Sequence, residues 1–260
     1  MKWRKPCHSY GSMSGERATS QSTIETLLDN SRRDHLPLAK TFVQHRDKDD
    51  RGVPGPLAGF VSAHHERALQ QYTLAHAAAS GGEWDVTYDS RVWARALGLS
   101  EKHASSQNAI SRNWRWLENA RLLERSRSGR MSRITLLYDD GSGDPYEHPS
   151  ARKEKYLRLP YAFWREEWHR ALDLSAIAVL LIGLHEKPGW FELVAERVPE
   201  WYGISVSSFS KGFQTLRRRN LIERRRDQVA APLAPLGYTF KYSYRLTGTF
   251  ERPAEKAAKN

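Results

Sequence analysis

Two clusters of arginine stand close together in the second half of the chain, Arg217, Arg218 and Arg219, then Arg224, Arg225 and Arg226. A guanidinium is always charged and presents a planar fork of donors that fits a phosphate or the edge of a guanine. Just ahead of them Ser207, Ser208, Lys211, Gln214, Thr215 and Arg218 recur at helical spacing. Their hydroxyls, amide and cations are groups that read base edges by hydrogen bonding. The chemistry on offer is recognition of a polyanion. Catalytic patterns are weak by comparison. His64, His65 and Glu66 are consecutive, so on a helix they diverge, whereas a zinc enzyme needs two histidines one turn apart. The chain has no glycine-rich phosphate loop ending in Lys-Ser or Lys-Thr, and no histidine-hydrophobic-histidine strand. The paired acids Glu166 and Glu167, and Asp49 and Asp50, have no neighbouring constellation and read as solvated charge. Cys7 is the only cysteine, which excludes an internal disulfide and any multi-cysteine zinc site. The chain therefore reads as a non-enzyme that needs no cofactor and no metal.

With 41 Lys and Arg against 30 Asp and Glu, the 260 residues carry a net charge of +11. Such a field favours nucleic acid or an anionic membrane surface. Most of the excess lies in residues 151–250, although a GC-rich genome would also enrich arginine over lysine. The longest apolar run, Ala176 to Leu184, is interrupted by Gly183 and stopped by His185, Glu186 and Lys187, well short of the roughly 18 residues of a spanning helix. Met1 to Ser20 carries Lys2, Arg4 and Lys5 without an apolar stretch behind them, unlike a secretory signal. A soluble, cytoplasmic location on the nucleoid or a plasmid is expected, with no membrane partner.

The elements that must hold these residues follow from length and pattern. At about 150 residues per domain the chain should hold two folded units. Residues 1–58 lack sustained periodicity and read as a disordered arm, relieved by a short helix at Ser22 to Leu28 with Ile24, Leu27 and Leu28 on one face. Residues 140–155, rich in Gly, Ser, Asp and Pro, read as a linker, and 251–260 as a frayed tail. Between them, 59–139 and 156–250 contain the same phrase. Leu117 to Arg125 parallels Leu216 to Arg224, and Gly98-Leu99-Ser100 parallels Gly203-Ile204-Ser205. Each glycine can end a short helix in the left-handed conformation, and each serine suits the N-cap of the next. Val206, Phe209, Phe213 and Leu216 then form a buried stripe, matched by Ile110, Trp114 and Leu117. A hairpin follows each helix, one turning at Ser128 to Arg130 and one with a long tip from Asp227 to Gly237. Each helical pair is preceded by an apolar helix, Val61 to Ala79 and Ser175 to His185. Trp93, Trp114, Trp190 and Trp201 pattern as core.

This order resembles the winged-helix superfamily, and the tandem over residues 60–250 is similar to plasmid replication initiators. The most specific stretch is Tyr156 to Arg226, with Leu159, Pro160, Phe163 and Trp164, a helix opening Leu-Ser, and the Gly203-Ile204-Ser205 turn. The fold class expected is α+β, mainly α, with two tandem winged helix-turn-helix domains behind the disordered arm. The resemblance implies specific binding of double-stranded DNA at a replication origin, host replication proteins as further partners, and compatibility with a homodimer. A transcriptional regulator would use the same domains at a promoter, and a protein-binding adaptor, suggested by the weaker net charge of the first domain, would use one winged helix with the N-terminal arm and Trp116 as contacts. On the first domain the helix face expected to meet DNA is Asn108, Arg112 and Arg115. The hairpin contacts expected are Arg127, Arg130 and Arg133 in the first domain and Arg224, Arg225 and Arg226 in the second, although charges on edge strands also guard against aggregation.

Overall fold

The computed structural model describes residues 17–252 apart from Arg32, Ser80, Gly81, Glu101 and Arg130. Among them lie α1 (Ser20–Asp29), β1 (His35–Ala39), β2 (Gln44–Arg46), β3 (Gly52–Pro54), α2 (Leu57–Ser62) and α3 (Glu66–Ala78). Then come β4 (Asp85–Tyr88), α4 (Ser90–Ala96), α5 (Ala104–Asn119), β5 (Leu123–Ser128), β6 (Met131–Leu136) and β7 (Tyr156–Pro160). The second half continues with α6 (Ala162–Arg165), α7 (Trp168–Ala171), α8 (Leu174–His185), β8 (Phe191–Glu192), α9 (Val198–Tyr202), α10 (Val206–Arg218), β9 (Ile222–Ala230) and β10 (Tyr238–Leu246).

These elements correct the expected fold class. The chain is α+β with 43% helix and 23% strand, and among the described residues ten helices are combined with four small antiparallel sheets. Two self-contained winged helix-turn-helix domains behind a disordered arm do not describe it. Residues 17–58 are folded into the body. α1 is capped by the Thr19 hydroxyl, and Ile24, Leu27 and Leu28 are buried where it packs on α3, α4 and α6. β1 pairs with β7 over five residues, from His35 opposite Pro160 to Ala39 opposite Tyr156, so the segment read as an arm supplies a strand to the far side of the supposed linker. Leu36, Leu38, Phe42 and Val43 are buried with it. The hairpin of β2 and β3 leans on α9, where Gln44 Nε2 donates to the Trp201 carbonyl.

The supposed linker is pinned as well. Tyr146 is buried edge-on against His76 and Trp84, and Asp139 has no exposed surface. Oδ2 of Asp139 accepts from the Ala39 amide at 2.8 Å; Oδ1 accepts from the Tyr72 hydroxyl at 2.8 Å and lies 2.9 Å from His76 Nε2. One carboxyl group thus joins β1, α3 and the residues after β6. At the other end Arg252, placed by the sequence in the fraying tail, donates to the carbonyls of Gly183, Leu184 and Glu186 and closes the end of α8. Residues 253–260 lie outside the described residues.

The internal repeat is visible in the backbone. Arg121 and Asn220, equivalent in the repeated phrase, both take positive φ, at 56° and 57°. The following leucines, Leu122 and Leu221, donate back to Leu117 and Leu216 at 3.1 and 3.0 Å, so α5 and α10 end in the same left-handed turn. Each then leads into a hairpin, and the sheet orders are β4-β6-β5 and β8-β10-β9. Gly98 and Gly203 also share positive φ, 68° and 64°. Gly203 has a second constraint, because a Cβ there would lie 2.6 Å from Ala58 Cβ.

Smaller expectations are corrected too. Ser205 caps α10, accepting from Ser208 N, but α5 starts later than its counterpart, with His103 at its N-cap instead of Ser100. The helix expected from Val61 to Ala79 is two helices, broken at His64, whose φ is 55°. Val206 is exposed because it occupies the first turn of α10, ahead of the packed stripe Phe209, Phe213 and Leu216. Trp93 and Trp114 are core, whereas Trp190 and Trp201 are only half-buried. No helix among the described residues is long and apolar enough to cross a membrane.

Candidate nucleic-acid interface

α10 is held by its buried face. Phe209, Phe213 and Leu216 pack inward, and Gly212 lets the helix approach α8 so closely that a Cβ there would sit 2.2 Å from the Ser175 carbonyl oxygen. That contact fixes which face looks outward. At 100° per residue the side opposite the stripe carries Ser207, Lys211, Gln214 and Arg218, and all four are exposed. Lys211 forms an ion pair with Asp173, the N-cap of α8, at 3.1 Å. Ser208 and Thr215, assigned to the same face by sequence, lie on its flank and are half-buried. Ser208 Oγ accepts from Ser205 Oγ, and Thr215 Oγ1 accepts from Arg218.

Strand pairing sorts the hairpin arginines. Arg224 stands opposite Tyr244 and Arg226 opposite Tyr242, while Arg225 stands opposite Ser243. Alternation therefore sends Arg224 and Arg226 to one face and Arg225 to the other. The first face is the one that packs on α10, since Tyr244 meets Phe213 with ring centroids 5.3 Å apart. There the Arg224 guanidinium lies 5.6 Å from the Phe213 ring and 5.0 Å from Tyr242, and Arg226 lies 4.2 Å from Phe240. On the opposite face Arg225 is bound to Asp227 at 2.9 Å and shares the Trp190 ring with Arg245. All three hairpin arginines are exposed, but only Arg224 and Arg226 extend the α10 surface.

The first half repeats this geometry with less free charge. Asn108, Arg112 and Arg115 are exposed along one side of α5, and Arg127 is exposed on β5 at the position equivalent to Arg226. Arg125, the counterpart of Arg224, pairs with Glu118 at 3.2 Å. Arg133 points the other way, bound to Glu83 and, at 2.7 Å, to Asp85, so it is withdrawn from the surface proposed for it. The Asp85 and Glu83 carboxylates hold its guanidinium pKa above the ordinary value. Arg130 lies outside the described residues.

Sequence reading overlooked the aromatic side of this surface. Tyr238, Phe240, Tyr242 and Tyr244 occupy alternate positions of β10, a period that placed them all on the face of Arg224 and Arg226. Trp190 had been assigned to the core, yet it is the platform for Arg225 and Arg245. Among the described residues no group of three or more His, Cys, Asp or Glu is placed to hold a metal ion. His76 and Asp139 touch, but both are fully buried, and neither can meet a substrate where it stands. Compared with protein-family models, curated proteins and solved structures, the chain matches none.

Proposed function

We propose that the chain binds double-stranded DNA, with α10 in the major groove and the β9–β10 hairpin along the adjoining backbone. The observation that carries this reading is the continuous outward stripe Ser207, Lys211, Gln214 and Arg218, joined on the same side of the hairpin by Arg224 and Arg226. Gln and Arg can each present two hydrogen-bonding atoms to a base edge, and the hairpin arginines meet phosphates. Lys211 exchanges Asp173 for a base or phosphate at little cost, since exposed ion pairs contribute at most about 1 kcal/mol. The α5 face, with Asn108, Arg112, Arg115 and Arg127, supplies a second and weaker reader. Two such surfaces in one chain suit iterated sites, and the setting we favour is replication initiation with host proteins recruited to the bound origin.

A salt-dependent titration of the full chain tests this, using the duplex upstream of its coding sequence and a scrambled duplex of equal length. Preference for the former at physiological salt supports specific recognition; equal, steeply salt-sensitive affinities would reduce the reading to charge alone. Arg226→Ala should lower the salt slope by about 1. Arg225→Ala should leave it nearly unchanged, because its charge is met by Asp227 on the other face. An equal loss from both would overturn the assignment by strand register. Support of a marker plasmid by the gene and its flanking DNA separates initiation from transcriptional regulation.

A further inference from the structure

Leu233 and Leu236, at the tip of the β9–β10 hairpin, are 101% and 72% exposed, the two most exposed large apolar side chains among the described residues. The tip is not a loose loop. Ala231 donates to the Gly237 carbonyl, Ala234 to that of Ala231, and Gly237 to that of Ala234, all within 2.9 Å. Pro232 and Pro235 fix two more φ angles, so the leucines are presented on a preorganised turn. Behind them Phe240, 40% exposed, continues the apolar surface on the face of Arg226 and Arg224, which stand behind it, while Val229, also 40% exposed, lies on the opposite face. β9 and β10 each have nine residues against six in the first hairpin, a reach of roughly 30 Å at about 3.3 Å per residue.

We propose that this tip is a wedge that enters the minor groove of DNA and partly unstacks a base step, an inference that rests on the duplex-binding reading above. A cationic stem ending in bare leucines fits that occupant. The arginines are held by phosphates on either side of the groove while the leucines leave water between bases, which kinks and unwinds the duplex. A second copy of the hairpin would bring like-charged stems together. The arginines Arg224 and Arg226 also lie on the face shared with α10, so a duplex seated on that helix runs toward the tip. The shorter β5–β6 hairpin carries one exposed large apolar side chain among its described residues, Met131 at the start of β6, and is not assigned this role.

The test uses closed circular plasmid carrying the upstream region, relaxed by topoisomerase I with increasing full-length protein, with bound protein measured in parallel by gel shift. The wild type should lower the linking number in proportion to the protein bound. Leu233→Ser/Leu236→Ser, at sites too exposed to affect folding, should bind within about threefold and unwind at least fivefold less per bound molecule. Equal unwinding by the double variant overturns the wedge and leaves duplex binding intact. Binding by the wild type without any unwinding does the same, whereas failure of the wild type to bind removes the duplex-binding reading itself. A wild type that self-associates in light scattering through the leucines, or floats with phosphatidylglycerol vesicles through them, and does not unwind DNA also overturns the wedge.

Discussion

Removal of the Asp139 side chain probes the point where three distant segments meet. Its two carboxyl oxygens face three donors, the Ala39 amide, the Tyr72 hydroxyl and His76 Nε2, at 2.8 to 2.9 Å, and all four residues are fully buried. In Asp139→Ala all three donors lose their acceptor. At about 1–3 kcal/mol for each unsatisfied buried group, with partial relaxation into the small space left, the expected cost is about 3–5 kcal/mol. Asp139→Asn is the sharper probe because it preserves shape. If its amide oxygen keeps Tyr72 and His76, its NH2 group faces the Ala39 N–H, donor against donor. Flipped, the oxygen serves Ala39 and the NH2 group confronts Tyr72 and His76; the hydroxyl can turn to accept, and the imidazole can accept only by moving its proton to Nδ1, which has no partner. About 1–3 kcal/mol is lost either way. Urea unfolding followed by circular dichroism at pH 7 measures both variants, with the midpoint shift read at an unchanged m-value. An Asn variant within 0.5 kcal/mol of the wild type would refute the claim that this carboxyl group holds β1 to α3.

Gly212→Ala should destabilise by about 1–3 kcal/mol in the same assay, because the new methyl would stand 2.2 Å from the Ser175 carbonyl oxygen. Helix propensity alone favours the substitution by about 1 kcal/mol, so the sign of the change decides whether α10 truly sits against α8. His169 is 2% exposed beside Phe163, and burial, followed by the neighbouring Arg170, pushes its pKa down to about 4. The unfolded chain takes up that proton near pH 6.5, so the contribution of His169 is intact above pH 6.5. It is lost progressively as pH falls toward 4, by about 3 kcal/mol in all. Unfolding free energies between pH 7 and 4 should show this slope in the wild type and lack it in His169→Leu.

Local signals placed most of the helix and hairpin elements that build the candidate interface. The stripe Phe209, Phe213 and Leu216, the Ser205 cap and the Gly203 turn all act within a few residues, so spacing alone revealed them. The repeated phrase was equally legible, and the structure adds to it a shared left-handed turn at Arg121 and Asn220 that the sequence reading did not place. What failed was everything that depends on a distant partner. Leu36-Pro37-Leu38-Ala39 is too short and too proline-marked to announce a strand by itself. It becomes one because Tyr156 to Pro160 offers an edge, a fact no local window contains. Charge was misread for the same reason. Arg133 looked as free as Arg127 until Asp85 and Glu83 folded beside it, and Arg225 looked equivalent to Arg226 until the register placed it on the opposite face.

The pairing of β1 with β7 also sets a clock. During synthesis, residues 35–39 leave the ribosome about 120 residues before the strand that completes them. At typical rates of 5–20 residues per second that is a wait of roughly 6–24 s, far longer than hairpins or helices need to form. Throughout it Leu36 and Leu38, buried in the finished molecule, have no strand to pair with, and the first half cannot reach its final form. Nascent chains of this protein should therefore engage cellular chaperones until about residue 160 has cleared the ribosomal tunnel, and be released from them soon after β7 emerges.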